Sequence, residues 1–347
     1  MEDFDLQSAP AAGDDCIIIS LKCISQSDPL LKASYTKLAY GLWKAGDIIL
    51  PSPGKHHGLA PERPGRNNKV KLVSPAELPR RGKGGTLASR QALLHSLCHI
   101  ECCAIDLAWD IIARFGADPD YAANLPRDFY SDWIQVAEDE ARHFSLLLLR
   151  LQAAGLDYGS LAAHDGLWES AMETAGSLAA RLSVEHAVHE ARGLDILPQT
   201  IARFRAGGDN ESADLLENVI YNEEISHCGA GVRWLKHLYG VATQQGSGSS
   251  GGGQQQDNSG HKNSTADVPK ERSSNVPDWI VDANQYSTVE GWFHSLVRKH
   301  FHGFLKPPFN DEARKKAGFL PDWYLPLAAA PAPAGAAIEP VSVAANR

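Results

Sequence analysis

No apolar run in this sequence is long enough to cross a bilayer. The stretch CIIISLKCI, residues 16–24, falls well short of the ~20 residues that a membrane helix needs. Positive charge is also scarce: 33 Lys and Arg against 42 Asp and Glu leave a net charge of −9. That balance argues against a general electrostatic hold on nucleic acid or on an anionic membrane. The N-terminal stretch MEDFDLQSAPAAGDD has neither the basic start nor the apolar core of a secretory signal. The six cysteines (Cys16, Cys23, Cys98, Cys102, Cys103 and Cys228) show no paired zinc spacing, and four lie inside helical patterns. Reduced, buried thiols are the expectation. Alternation of the strand type is nearly absent. Together these shortages predict an all-α cytoplasmic protein with no membrane and no nucleic-acid partner, an organellar location staying open.

What is present is enough to build a sizeable core: 43% of the 347 residues are hydrophobic. Residues 1–85 read as an N-terminal helix, PLLKASYTKLAYGLWKAG at 29–46, followed by an extended wrap rich in Pro, Gly, Lys and Arg. Residues 86–240 carry four long helical patterns. Residues 241–276 hold a Gly/Ser/Gln-rich insertion with almost no apolar content, which cannot repay the entropy of ordering and is expected to be disordered. Residues 277–347 form an aromatic-rich segment expected to pack on the helices, with a loose tail from about residue 330.

The first of the four helices is predicted from about Ser89 to Phe115, with Gly116 as its stop. The second starts near Pro126 and stops at Gly155. The third begins after Asp165 and ends near Gly193, with Pro198 breaking it from a shorter segment. The fourth opens after GGDN and ends near Gly240. Ten extended residues between Gly155 and Asp165 reach roughly 33 Å, enough for a crossover that sets the second and third helices parallel.

Polar groups interrupt the apolar stripes of these helices in a pattern. In FYSDWIQVAEDEARHFSLLLLRL the stripe Trp133, Val136, Ala137, Glu140, His143, Phe144, Leu147 contains Glu-x-x-His, one helical turn apart, so both side chains can reach one point. VIYNEEISHCGAGVRW repeats this with Glu224 and His227. The first helix carries Glu101 on the stripe Leu94, Leu97, Ala104, Ile105, Ala108, and the third offers Glu185 or Glu190. Burying such groups without counter-charge costs several kcal/mol or more. Two divalent cations would neutralise them: four carboxylates balance two dications, and carboxylate-rich ligation favours iron or manganese over zinc or copper. One Glu from each of two helices plus Glu-x-x-His from each of two others is the donor set of ferritin-like di-iron and di-manganese bundles. His95 and His99 read as extra or supporting ligands, or as partly exposed helix residues. Glu138 and Asp139 read as solvated.

On the stretches ALLHSLCHIECCAIDLAWD, FYSDWIQVAEDEARHFSLLLLRL, YGSLAAHDGLWE, HEARGLDILP, VIYNEEISHCGAGVRW and LVRKHFHGFLKPPFNDEARKKAGFLPDWYLPL, the chain resembles the ferritin-like superfamily. Within it, the chain is most similar to the family known as domain of unknown function 455. The resemblance implies an all-α, ferritin-like four-helix bundle with an extra N-terminal helix and a C-terminal docking segment. It also implies that HEARGLD supplies the third helix's carboxylate, which selects Glu190 over Glu185. The implied metal ligands are Glu101, Glu140, His143, Glu190, Glu224 and His227, holding two iron ions or, alternatively, manganese.

The functional expectation is a non-haem di-metal oxidoreductase that activates O2 or a peroxide on a small-molecule substrate. A redox partner is expected with it, and a homodimer stays open. Two alternatives compete: metal handling of the ferroxidase kind, and a metal-free helical scaffold that binds a partner.

Overall fold

In the computed structural model, residues 4–79, 85–248 and 276–328 are described. Their regular structure is helical; among them the only β pairing is three isolated bridges, Asp15 with Ile49, Leu72 with Ala163 and Leu305 with Ala328.

The N-terminal region holds two helices where one was expected. The apolar run at 16–24 forms α1 (Cys16–Ser25), started by Asp15, whose carboxylate accepts from the Ile17 and Ile18 N–H groups. It is apolar on all sides because all but its last residue is buried. Helix α2 (Pro29–Ala45) has Asp28 as its N-cap, Pro29 in the first turn and a left-handed Gly46 at its end. The wrap that follows presses against the end of α1. Gly65 N–H donates to Ile24 O at 2.8 Å, and a Cβ on Gly65 would lie 2.3 Å from Ser25 O, so only glycine fits there.

Helices α3 (Leu87–Phe115) and α4 (Arg127–Ala153) match the expected spans to within a residue or two. They run antiparallel: Gln91 reaches Ala154 O near one end, and the Tyr130 hydroxyl reaches Gly116 O near the other. The connection after α4 is the crossover that its length permits. The rings of Trp133 and His186 lie 4.2 Å apart, tilted by 51°, while Glu140 and Glu190 converge further along, so α4 and the third long helix are parallel.

That third helix differs from its expected form. After Asp165 comes a short α5 (Gly166–Glu173), then a break. The long helix begins at α6 (Leu178–Ser183) with Ser177 as N-cap, passes through a π-helical turn at Val184–His189 and continues as α7 (Glu190–Ala206). Gly193 does not end it. Pro198 does not break it either, although it cannot donate to Leu194 O; Asn310 Nδ2 donates to that carbonyl instead, at 3.1 Å.

The fourth helix starts as α8 (Asn210–Leu215), capped by Asp209, takes a second π turn at Leu216–Ile220, and continues as α9 (Tyr221–Gly248). It therefore extends past the expected end at Gly240, and residues 241–248, assigned above to a disordered insertion, are helical. The remainder of that insertion, 249–275, and the tail from 329 lie outside the described residues. Arg150 with Asp209 (3.1 Å) and Asp132 with Arg233 (2.6 Å) fix α4 and α8–α9 as antiparallel.

The C-terminal segment supplies α10 (Asp278–Ala283), α11 (Val289–His300), α12 (Asp311–Lys316) and α13 (Pro321–Tyr324). Trp292, Phe293, Trp323 and Tyr324 are buried in the same continuous core as α3, α4 and α9. A buried two-point ion pair pins the segment to α7: Arg314 Nε and Nη2 lie 2.9 and 2.6 Å from the two oxygens of Asp195.

Candidate metal centre

The four long helices bring six acidic and imidazole side chains to one place. Glu101, Glu140, His143 and Glu224 can present one donor atom each within 4.8 Å of one another. So can Glu140, Glu190, Glu224 and His227. Glu140 and Glu224 belong to both groups, so the two constellations share an edge. All six candidates from the sequence are in these groups. Glu101, Glu140, His143, Glu224 and His227 are buried, and Glu190 is partly exposed. Glu185 is not among them; it is buried in the π turn and accepts a hydrogen bond from Ser170 at 2.7 Å.

Local structure explains how the carboxylates converge. Glu140 and His143, like Glu224 and His227, are one turn apart on α4 and α9 and point the same way. Each π turn sits just ahead of a cluster residue, ending at His189 before Glu190 and at Ile220 before Glu224. Such turns shift the phase of the side chains that follow and recur at functional sites. Gly231 lets α9 approach the first of them; its Cβ, were there one, would stand 2.0 Å from His186 O.

The imidazoles are oriented from behind. His143 Nδ1 faces the cluster, 3.3 Å from Glu140, 3.7 Å from Glu224 and 3.9 Å from Glu101. Its Nε2 meets Glu223 Oε2 at 2.6 Å on the other side. His227 does the same in mirror fashion, with Nδ1 2.9 Å from Glu140 and Nε2 3.4 Å from Asp139. An ionised carboxylate only accepts, so Glu223 and Asp139 hold a hydrogen on Nε2; once a cation displaced the Nδ1 proton, each neutral ring would turn its Nδ1 lone pair to the cluster. Despite its short distance to Glu140, the buried His227 Nδ1 lacks a hydrogen bond of proper geometry.

Charge in the cluster is poorly balanced by protein alone. Burial, and then the neighbouring Glu140 and Glu224 carboxylates, push the Glu101 carboxyl well above its ordinary range. Burial with Glu224 and Glu140 does the same to Glu190. Burial opposes charge on Glu140 too, but the His227 and His143 imidazoles hold it well below the usual range. Burial likewise works against the protonated imidazoles. Hydrogen bonds to Glu140 and Glu223 nevertheless raise His143 to about 9, and Glu140 and Asp139 raise His227 well above its ordinary value. Protons thus occupy positions that a cation of higher charge could take.

The profile of a family described as "Protein of unknown function (DUF455)" matches residues 25–248, more than half of the chain. The chain belongs to this family. A Haemophilus influenzae protein (strain ATCC 51907 / DSM 11121 / KW20 / Rd) called "Uncharacterized protein" is 36% identical over 170 residues. The match covers 49% of this chain and 58% of that protein, so it spans little more than half the length of the curated relative. No solved structure matches. The DUF455 match includes all six clustered residues and stops short of the C-terminal segment that docks on α7.

Several residues of this DUF455 chain play parts that the sequence did not reveal. Asp139, expected to be solvated, is buried and tied to His227, Arg142 and Gln135. Glu223, given no role, joins His143 to Arg142, whose Nη2 is 2.7 Å away. The signal was present as the acidic pair before each histidine, Asp139-Glu140 and Glu223-Glu224. His95 and His99 are neither exposed nor near the cluster's donors. His95 Nε2 accepts from the Gly159 and Leu161 N–H groups, and His99 bonds the Tyr158 hydroxyl and His164 O, so both anchor the crossover connection. Tyr221 bonds Asn310 at 2.6 Å.

No helix among the described residues is long and apolar enough to cross a membrane.

Proposed function

We propose that residues 86–240 form a ferritin-like four-helix bundle holding two metal ions, iron or alternatively manganese, and that the protein is an oxidoreductase acting with O2 or a peroxide on a small organic substrate. The ligands in this reading are Glu101, Glu140, His143, Glu190, Glu224 and His227. The observation that carries it is the two overlapping donor groups sharing Glu140 and Glu224, set between helices with a buried, unsatisfied His227 Nδ1 directed at them. Four carboxylates and two neutral imidazoles match two dications in charge, and the donors are of the kind that iron and manganese accept.

Bound metal would supply electron transfer and Lewis acidity, which no side chain of the cluster offers. The chain's own contribution is positional. Glu140 and Glu224 would span both sites, while Glu101 with His143 and Glu190 with His227 would each complete one. Asp139 and Glu223 keep the imidazoles in the tautomer that presents Nδ1. The buried apolar residues around them, among them Trp133, Phe144 and Ile220, exclude bulk water. Glu190 is the least buried of the six, so in this reading a small substrate would approach from its side.

The test is metal analysis of protein expressed with iron and manganese supplied, followed by oxygen-uptake measurements. The proposal expects about two transition-metal ions per chain and oxygen uptake that depends on an added organic reductant or substrate. Uptake driven by ferrous ion alone would favour metal handling instead. Protein that stays below one metal ion per chain would overturn both and leave the scaffold reading.

A further inference from the structure

Helix α3 has a second polar face, turned away from Glu101. Against it the wrap around residues 65–72 and the start of α2 form an open-sided cavity of about 260 Å3. Lys32 and Arg66 line this cavity, and both are paired with the same carboxylate, that of the fully buried Asp106 on α3. Lys32 itself is 1% exposed. The neighbouring Asp165 carboxylate is itself paired with Arg63 at 3.2 Å, so three cations face two carboxylates and one positive charge is unmatched. His99, also in the wall, spends both ring nitrogens on the crossover connection and offers no counter-charge.

The guanidinium of Arg66 is only half used. Its Nη1 meets Asp106, whereas Nη2 meets only Cys103 Sγ at 3.5 Å and the buried Nε has no hydrogen-bond partner. Nε–H and Nη2–H lie along one edge of the guanidinium, the edge that grips a carboxylate with two parallel hydrogen bonds. Leaving the Nε–H buried and unpaired is costly, and an acceptor on this edge would relieve that cost. The rest of the wall is mixed. Asn67 and Asn68 supply polar groups, and Val70, Leu72 and Tyr158 supply apolar surface.

We propose that this cavity binds a small organic monocarboxylate, its head on Arg66 near Lys32 and its apolar part against Val70, Leu72 and Tyr158. A monoanion cancels the single unmatched charge; a dianionic phosphate monoester would overshoot it. A cavity of ~150 Å3 is enough to take up benzene, so one of about 260 Å3 has room for a molecule the size of benzoate. The site is independent of the metal reading, since it lies across α3 from the carboxylate cluster and uses none of its residues.

The experiment is calorimetric titration of the full chain with benzoate and hexanoate, with benzamide as the neutral counterpart of benzoate and phenyl phosphate as the dianion. The expected result is saturable binding of at least one carboxylate, with benzoate about tenfold or more tighter than benzamide, the scale of one charge-assisted contact. Arg66→Lys, which keeps the charge but loses the two-point edge, is expected to weaken carboxylate binding about tenfold. Leu72→Trp fills the cavity from its exposed wall and is expected to abolish binding while leaving the circular dichroism unchanged; it decides the matter if Arg66→Lys does not fold. Absence of saturable binding by both carboxylates, equal affinity for benzoate and benzamide, tighter binding of phenyl phosphate, or binding unaltered by Leu72→Trp would each overturn the proposal.

Discussion

Asp139 Oδ2 lies 3.4 Å from His227 Nε2, across the interface between α4 and α9. The reciprocal contact, Glu223 on α9 with His143 on α4, is 2.6 Å. Each helix therefore offers one carboxylate to the shared cluster and the preceding acidic residue to the other helix's histidine. A pair of stripes built only for packing has no need of such crossed support, whereas a metal-binding imidazole does.

The crossed pairs should behave alike when broken. Asp139→Asn and Glu223→Gln are each expected to weaken metal binding by about ten- to a hundredfold, the usual range for carboxylates behind a metal-bound histidine. Competition with a chelator of known affinity measures this. Equal affinities in the wild type and both variants would separate these carboxylates from metal binding.

The shared and unshared carboxylates should differ. Glu140→Gln or Glu224→Gln touches both donor groups and is expected to leave almost no metal, while Glu101→Gln or Glu190→Gln touches only one and is expected to leave about half. Metal content per folded chain reads the difference directly. Equal loss in all four variants would contradict the division of ligands between two sites.

Acid should weaken the crossover connection. Burial, with the neighbouring His99, lowers His95 from 6.5 to about 4; burial, with Arg66, lowers His99 to about 4 as well. Between those values the unfolded chain binds protons that the folded chain does not, so stability falls as pH drops from about 6.5 towards about 4 and is unaffected by these groups above that window. Denaturant midpoints across this range measure the slope, and His95→Gln is expected to flatten it. That comparison also isolates the histidines from the cluster's raised carboxyls, which act with the opposite sign.

Pro198 and Asn310 should be coupled. Asn310→Ala removes the donor to Leu194 O and the cap that accepts from Ala313 N–H, and is expected to cost about 2 kcal/mol. Restoring a helical N–H with Pro198→Ala is expected to recover part of that loss in the double variant, more than it adds to the wild type. A double-mutant cycle in denaturant unfolding tests it; strictly additive effects would contradict the coupling.

Much of the fold was legible because it is written in local pattern. The apolar stripes, Gly116 after α3, Pro126 ahead of α4 and GGDN ahead of α8 announce their helices within the chain itself. The convergence of Glu140, His143, Glu224 and His227 was legible for the same reason, since Glu-x-x-His on an apolar stripe is a local signal. What escaped depends on contacts between distant segments. Pro198 reads as a break until Asn310 arrives to serve Leu194. Asp139 reads as solvated and Glu223 carries no role in the sequence because each is one residue off its own stripe, and only the facing helix gives it a histidine. The apolar run of α1 shows no helical period because it is enclosed on all sides, and period is a signal of partial exposure.

The most direct measurement is anomalous diffraction at the iron and manganese edges from crystals of protein grown with both metals. The account predicts two peaks between α3, α4, α7 and α9, each touching Glu140 and Glu224, one beside His143 and the other beside His227. Density free of any peak in that space, with those carboxyls paired to protein groups instead, would contradict it.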